Sequence, residues 1–296
     1  MGKSGFVTLA GRPNVGKSTL INRLVGDKIA ITSPRPQTTR NRIVGVLSEN
    51  DFQVALIDTP GVGSHGSKLA RNLANVAVKA SHDSDILLFI SDGRASDPDG
   101  DRSVLGRLKS SAPKTILAIN KIDLVKKGRL LGQIERFGAF GCFDEIIPVS
   151  AKTGENVDRL VELIRDHLPE GPMYYPAGMK TDQPEVFIIG EIIREKAIFN
   201  LQNELPYSLA VLVDAVEDRS SGLTAVAASI FVERQSQKGI VIGKKGSMLK
   251  KIGAAARVEL EARLKTKVFL DLAVKVREKW TSDSRSISDF GYGLKE

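Results

Sequence analysis

From Phe6 to His167 the chain alternates short apolar runs with amphipathic stretches. "FVTLAG", "DFQVALIDTPG", "DILLFISDG", "KTILAINKID" and "EIIPVSAK" are compact apolar runs closed by turn residues, the pattern of buried strands. Between them, "KSTLINRLVG" and "VDRLVELIRDHL" return an apolar position every three or four residues and read as helices. Strands alternating with helices predict an α/β domain, a mostly parallel, doubly wound sheet with both faces covered. Ligands of such sheets collect at the carboxyl ends of the strands.

"LPEGPMYYPAGMKTDQP", Leu168 to Pro184, breaks this pattern with four prolines and two glycines and reads as an interdomain linker ordered in part by Tyr174 and Tyr175. Beyond it the order changes. "PEVFIIGEIIREKAIFNL" reads as a helix with Asp182 as its cap and Pro184 near its first turn. "SLAVLVDAVED" and "LTAVAASIFVE" are adjacent strands joined by the turn "DRSSG". "QKGIVI" then reads as a short helix, followed by a helix with apolar Leu249, Ile252, Ala256, Leu260 and Leu264, and by a last strand, "KVFLDLAVKV". The boundaries expected are residues 1–168, a linker over 169–184, a second domain over 185–280 and a tail over 281–296.

The 296 residues suffice for two domains with cores of their own. The net charge of +8 is unevenly spread: Arg234 to Lys279 holds 13 Lys or Arg against 4 Asp or Glu, so this segment faces a polyanion or water while the rest is close to neutral. The single cysteine, Cys142, excludes an internal disulfide framework and reads as a small buried filler. His65, His82 and His167 lack metal-ligand spacing. No secretory signal precedes Phe6, and the longest uncharged apolar stretches are too short for a bilayer, so a cytosolic protein is expected.

"GRPNVGKS" follows one strand and opens one helix, the setting that a phosphate-binding loop needs. Backbone N–H groups of Gly11, Arg12, Pro13, Asn14, Val15 and Gly16 would surround the phosphates wherever a donor exists (Pro13 has none), helped by the helix N-terminus. Lys17 can reach the β and γ oxygens, Ser18 can offer its hydroxyl to Mg²⁺, and Thr19 follows. A second stretch, Asp58, Thr59, Pro60, Gly61 and Val62, supplies a carboxylate toward Mg²⁺ and a glycine N–H toward the γ-phosphate. In "NKID", Asn120, Lys121, Ile122 and Asp123, the aspartate can accept from a guanine's ring N–H and exocyclic amine, a donor pair that adenine lacks. "SAK", Ser150, Ala151 and Lys152, would bring the Ala151 N–H to the guanine O6. GTP and GDP are therefore the expected cofactors, with Mg²⁺.

"GKKG" lacks a Lys-Ser pair at the helix start, and no base-reading motif follows it. It matches the G-x-x-G loop with which KH domains clamp about four single-stranded nucleotides. Gly243 and Gly246 would let the strand approach, Lys244 and Lys245 would meet its phosphates, and a helix would begin at Ser247. Lys250, Lys251 and Arg257 extend the charge; Ile240 and Ile242 would floor the bases. Trp280 either packs this domain or stacks on a base, and the tail after it stays unassigned.

Together these motifs resemble translation-factor-like GTPases. "PRPQTTRNRIVGV", "EGPMYYP", "IIREK", "ELPYS", "SQKGIVIGKKGSMLKKIG" and "KVFLDL" are similar to the Era family of bacterial GTPases. The resemblance implies a P-loop GTPase domain followed by an α+β type II KH domain. It makes Thr39, with Thr38 as runner-up, the switch residue that joins Ser18 and Asp58 on Mg²⁺, and places Lys17, Thr39, Asn14 and Gly61 at the hydrolytic centre. Val62 stands where Ras-type enzymes carry the water-positioning glutamine, so slow intrinsic hydrolysis is expected. Asn14 would either help hold K⁺ beside the phosphates or only stabilise the loop. The implied partner is single-stranded RNA, not DNA: the 3′ region of 16S rRNA during 30S subunit maturation, with peripheral inner-membrane association. A constitutive RNA-binding scaffold, with nucleotide in a structural role, is the alternative. A metabolic P-loop kinase would need an acceptor pocket and is opposed by "NKID".

Overall fold

The computed structural model describes residues 2–35, 38–61, 68–82, 84–108, 113–219 and 222–292; Val62, at the expected glutamine position, and His65 lie outside them. The chain divides into two compact units, Met1–Gly66 with Ala70–Asp182, and Gln183–Glu296 with Ser67–Leu69.

The first unit is built on a six-stranded sheet. Its strands are β1 (Lys3–Gly11), β2 (Ile43–Ser48), β3 (Phe52–Asp58), β4 (Ile86–Asp92), β5 (Lys114–Asn120) and β6 (Glu145–Pro148), in the spatial order β2-β3-β1-β4-β5-β6. All neighbours are parallel except β2, which turns back on β3. Helices α1 (Lys17–Val25), α2 (Lys68–His82), α3 (Pro98–Leu108), α4 (Lys127–Gly138) and α5 (Val157–His167) accompany it. Every residue of β3 is buried, as the unbroken apolar run requires when both sheet faces are covered. Since β1 lies between β3 and β4, consecutive crossovers leave its carboxyl end in opposite directions, and a crevice opens there. Cys142 is half-buried against the core around Phe89 and Phe137.

Strand β2 has no counterpart among the strands expected from the sequence. It pairs with β3 from Ile43 opposite Asp58 to Ser48 opposite Gln53, closed by a tight turn in which Glu49 N–H donates to Phe52 O at 2.9 Å. Among the described residues just before it, Thr38–Asn41 belong to no strand, so the loop passes directly into the hairpin.

The Pro- and Gly-rich stretch expected as a linker packs on the first unit. Gln53 Oε1 accepts from the N–H groups of Tyr174 and Tyr175 at 2.7 and 2.8 Å, and Tyr174 stacks on Phe6 with centroids 5.1 Å apart. Val46 N–H donates to Lys180 O at 2.8 Å.

The second unit orders its elements as α6 (Glu185–Asn200), α7 (Leu205–Ser208), β7 (Ala210–Arg219), β8 (Leu223–Val232), α8 (Gln235–Ile242), α9 (Ser247–Leu264), β9 (Lys267–Val276) and α10 (Ser284–Asp289). Its sheet runs β7-β8-β9, antiparallel then parallel. The cap of α6 is Pro184 and not Asp182, and it makes no side-chain hydrogen bond; the fixed ring and the Pro184 carbonyl, accepting from Phe187 N–H at 2.9 Å, start the helix. Arg194, fully buried on α6, is held by both carboxylate oxygens of Glu191 at 2.6 Å. Trp280 is buried as well, its indole donating to Ser208 O at 2.9 Å and meeting Phe290 edge-on at 5.0 Å, so it packs the unit and cannot stack on a base. Among the described residues no helix is long and apolar enough to cross a membrane.

Candidate functional site

Carboxyl ends of β1, β3, β4 and β5 gather around one cavity of about 450 Å³. Its floor is the loop Gly11–Ser18. Gly11 takes φ 150° and Gly16 φ 100°, where a side chain on Gly11 would press into the Ile90 carbonyl and one on Gly16 into the Asn120 amide. Asn14 adopts φ 63°, a left-handed turn that asparagine tolerates, and its amide donates to Pro34 O at 2.9 Å. Gly61 abuts the same loop: a Cβ there would lie 2.9 Å from the Pro13 Cα.

Lys17 is buried, with Nζ donating to Arg12 O at 3.2 Å. Burial pushes its pKa down, against the attraction of the Asp58 carboxylate. Burial likewise pushes Asp58 up, although Lys17 and the donors Ser18 and Thr39 favour its charge. For both groups the cost of burying a charge outweighs their mutual attraction.

The three residues expected on the metal do meet. The Ser18 hydroxyl donates to Asp58 Oδ2 at 2.8 Å, that of Thr39 at 3.2 Å, and the two hydroxyls are 2.8 Å apart. Among the described residues Asp58 Oδ1 is buried without a hydrogen-bond partner, the kind of orphan that an ion or its water would satisfy. Thr38 points elsewhere, its hydroxyl donating to Arg35 O at 2.7 Å.

The base-reading motifs stand on one shelf. Asn120 bridges it to the floor, its amide donating to Val15 O and its Oδ1 accepting from Ala151 N–H, each at 2.9 Å. The N–H that the sequence assigns to a guanine O6 is thus already bonded to Asn120. Lys121 takes φ 66°, and its ammonium spans to Asn14 O and to Asp92 Oδ2, both at 2.6 Å. Asp123 is exposed, with Oδ1 accepting from Ser150 Oγ at 2.7 Å. Ile122 is buried beneath, and Thr59 ties its own loop to Leu9 O at 2.8 Å.

The cavity extends into a polar annex lined by Asp92, Arg94 and Asp101, outside the motifs of the sequence. Arg12 pairs there with Asp97 at 2.6 Å, and Ser91 Oγ donates to Asp101 Oδ2 at 2.5 Å. "SDG" closing a strand at the same edge as "DTPG" and "NKID" was the available signal.

In the second unit the loop between α8 and α9 has the backbone its glycines predict. Gly243 is at φ 73°, Lys245 at φ 52° and Gly246 at φ 79°, and a Cβ on Gly243 would come within 2.8 Å of the Met248 nitrogen. Lys244, Lys245, Ser247, Lys250, Lys251 and Arg257 are all exposed. Ile240 is 55% exposed and Ile242 half-buried, whereas Val241 between them anchors α8 in the core.

Comparison with known proteins matches a different family in each unit. Residues 6–121 match the family described as "50S ribosome-binding GTPase", and residues 204–281 match the KH domain. GTPase Era of Geobacter metallireducens is 49% identical over 98% of both chains, and that of Lactobacillus delbrueckii is 45% identical over 99% of this chain and 97% of its own. The structure resembles that of Era in complex with MgGDPNP and nucleotides 1506–1542 of 16S ribosomal RNA (TM-score 0.96, 36% identity, 99% and 100% coverage). It also resembles an Aquifex aeolicus Era variant bound to GDP and AlF₄⁻ (TM-score 0.93, 36% identity, 99% and 100% coverage). The chain belongs to the Era family of GTPases.

Proposed function

We propose that this protein hydrolyses GTP to GDP and phosphate and uses the cycle to control its grip on single-stranded RNA, namely the 3′ region of 16S rRNA, during maturation of the 30S subunit. The observation that carries the reading is the meeting of Ser18, Thr39 and Asp58 at a cavity that Ser18, Thr39 and Lys121 of the Asn120–Asp123 shelf all line. The first set suits a Mg²⁺-bound triphosphate, and the second suits a guanine.

Ser18 and Thr39 would hold Mg²⁺ through their hydroxyls and Asp58 through water, and the ion supplies charge neutralisation on the phosphates. Lys17 would meet the β and γ oxygens, whose charge compensates its burial. Gly61, resting on Pro13, would present its N–H to the γ-phosphate. Asp123, braced by Ser150, would accept from the two guanine donors. Loss of the γ-phosphate would release Thr39 and Gly61, the two loops that a GTPase switch moves. Lys244 and Lys245 would pair with RNA phosphates while Gly243 and Gly246 let the strand approach. This role places the protein in the cytoplasm, with any membrane attachment peripheral.

The test is a filter-binding titration of an RNA carrying the 16S 3′ region, with GDP, with a non-hydrolysable GTP analogue and without nucleotide. Affinity should be about 5- to 100-fold higher with the analogue than with GDP, the range of ordinary coupling. Equal affinities in all three states would overturn the switch and leave a constitutive scaffold.

A further inference from the structure

Helix α1 does more than present Lys17 and Ser18. Its last turn carries two neighbouring side chains that reach outward in different directions. Asn22 accepts from Ile29 and Ala30 N–H at 3.0 and 2.9 Å and donates to Ala30 O at 2.7 Å, fixing the chain that leads into the Thr39 segment. Arg23 turns to the base-reading loop. Its Nε donates to Ala151 O at 3.2 Å and its Nη2 to Lys152 O at 2.5 Å, one planar fork on two successive carbonyls. Gly154, at φ 94°, lies beside the same guanidinium, where a Cβ would stand in ordinary contact, 3.7 Å from Nη1.

Nothing in the nucleotide motifs calls for this arginine. The loop it holds is also tied down by its own backbone, with Gly154 N–H donating to Ser150 O at 2.8 Å and Ser150 N–H to Glu155 O at 3.0 Å. Those bonds set the loop's shape. Among the described residues, its placement relative to the phosphate floor rests on Asn120, which bonds both Val15 and Ala151, and on Arg23, which bonds the loop directly to α1. The same loop begins with Ser150, whose hydroxyl braces Asp123. A displacement of the loop is therefore passed to the carboxylate that faces the base.

We infer that Arg23 is a positioning residue for guanine recognition, latching the base-reading loop Ser150–Lys152 to the phosphate-binding helix so that Asp123 keeps both of its bonds to the base. The inference rests on the nucleotide reading above. Arginine suits the task because its planar fork reaches two carbonyls at fixed spacing from separate nitrogens, whereas the three donors of a lysine ammonium sit on one. Arg23 is exposed, so its bonds are weakened by water and the effect is a graded one.

The experiment compares GDP with IDP, which lacks the exocyclic amine, on the wild type, Arg23→Ala and Arg23→Lys, by competition against a fluorescent guanine nucleotide. With Ala, GDP should weaken about tenfold and IDP only about twofold, so the preference for GDP falls about fivefold, and Lys should restore part of it. Equal weakening of GDP and IDP would show only a structural contribution and overturn the inference, as would no weakening at all. A wild type that fails to prefer GDP over ADP would instead sink the nucleotide reading itself, so the two failures are told apart. Thermal unfolding of the nucleotide-free variants, expected to be unchanged, excludes loss of the fold as the cause.

Discussion

Two loops of this chain set lysines on glycine-freed backbone, and they treat charge in opposite ways. At Gly11–Ser18 the lysine is buried and faces a buried aspartate, in a cavity closed by three other strand ends. At Gly243–Gly246 both lysines stand in water, at the start of a helix whose outer face adds three more cations. The difference suits the two ligands proposed for the loops, a nucleotide and an RNA strand. A nucleotide can be enclosed, so each desolvated contact is strong and a missing one is costly. A polymer strand must pass through, so the contacts stay solvated and the binding rests on displaced counterions.

The sharpest way to break this contrast is Lys17→Met, which keeps much of the bulk and removes the charge. Truncating one partner of a buried charge pair costs about 2–5 kcal/mol, so GTP and GDP affinity should fall by about a thousandfold. RNA affinity without nucleotide should not change. Equilibrium binding of a fluorescent GDP and of RNA on the same preparation measures both. A loss of tenfold or less in GDP binding would mean that the buried lysine is dispensable and that the two loops are alike.

How far these sites could be read from the sequence depends on whether the cause was local. Gly11, Gly16, Gly243 and Gly246 are local: the backbone needs a conformation that the residue type announces. The strand-end motifs were legible because each apolar run stops at the residue that does the chemistry, as at Asp58 and Asn120. Strand β2 was hard to see because its short apolar run follows the polar Thr38–Arg42 without a break, while its hairpin partner lies across the turn at Glu49–Phe52. Trp280 stayed undecided because Phe290 and Tyr292, from the tail, are what enclose it, and no periodicity links them. Arg23 and Asp101 were invisible for a related reason: an exposed-looking arginine and an acidic turn acquire partners only when separate elements come together.

Asp101 gives a second way to sharpen the comparison, since it is another charge kept from water beside the nucleotide loop. Burial pushes its pKa up to about 6, against the donating Ser91 hydroxyl and nearby Arg12. A carboxylate raised in the folded state opposes folding once it ionises. Its contribution is favourable at low pH, below the unfolded carboxylate range, and is lost as pH rises through about 6. At pH 7.5 the cost is up to about 3 kcal/mol. Asp101→Asn keeps an acceptor for Ser91 and removes the charge. The first unit of the variant should therefore unfold at higher denaturant at pH 7.5, and its advantage should shrink as pH falls from 6 toward 4. An advantage independent of pH would show that the side chain's charge is not what burial penalises.

The smallest effect is expected where charge is solvated. Replacing Lys244 and Lys245 together by alanine removes two phosphate contacts without unpacking anything, since neither side chain is buried. RNA affinity should fall by about tenfold at low salt. On single strands each contact contributes roughly 0.7 to the slope of log affinity against log salt, so the slope should fall by about 1.4. The variant and the wild type should then converge as salt rises, because what was removed is what salt already displaces. Lys17→Met has no such convergence to show, its loss being set by desolvation. A salt titration of both variants thus separates an enclosed contact from an open one: parallel lines for Lys244 and Lys245 would mean that the loop shapes the RNA site without reading its charge.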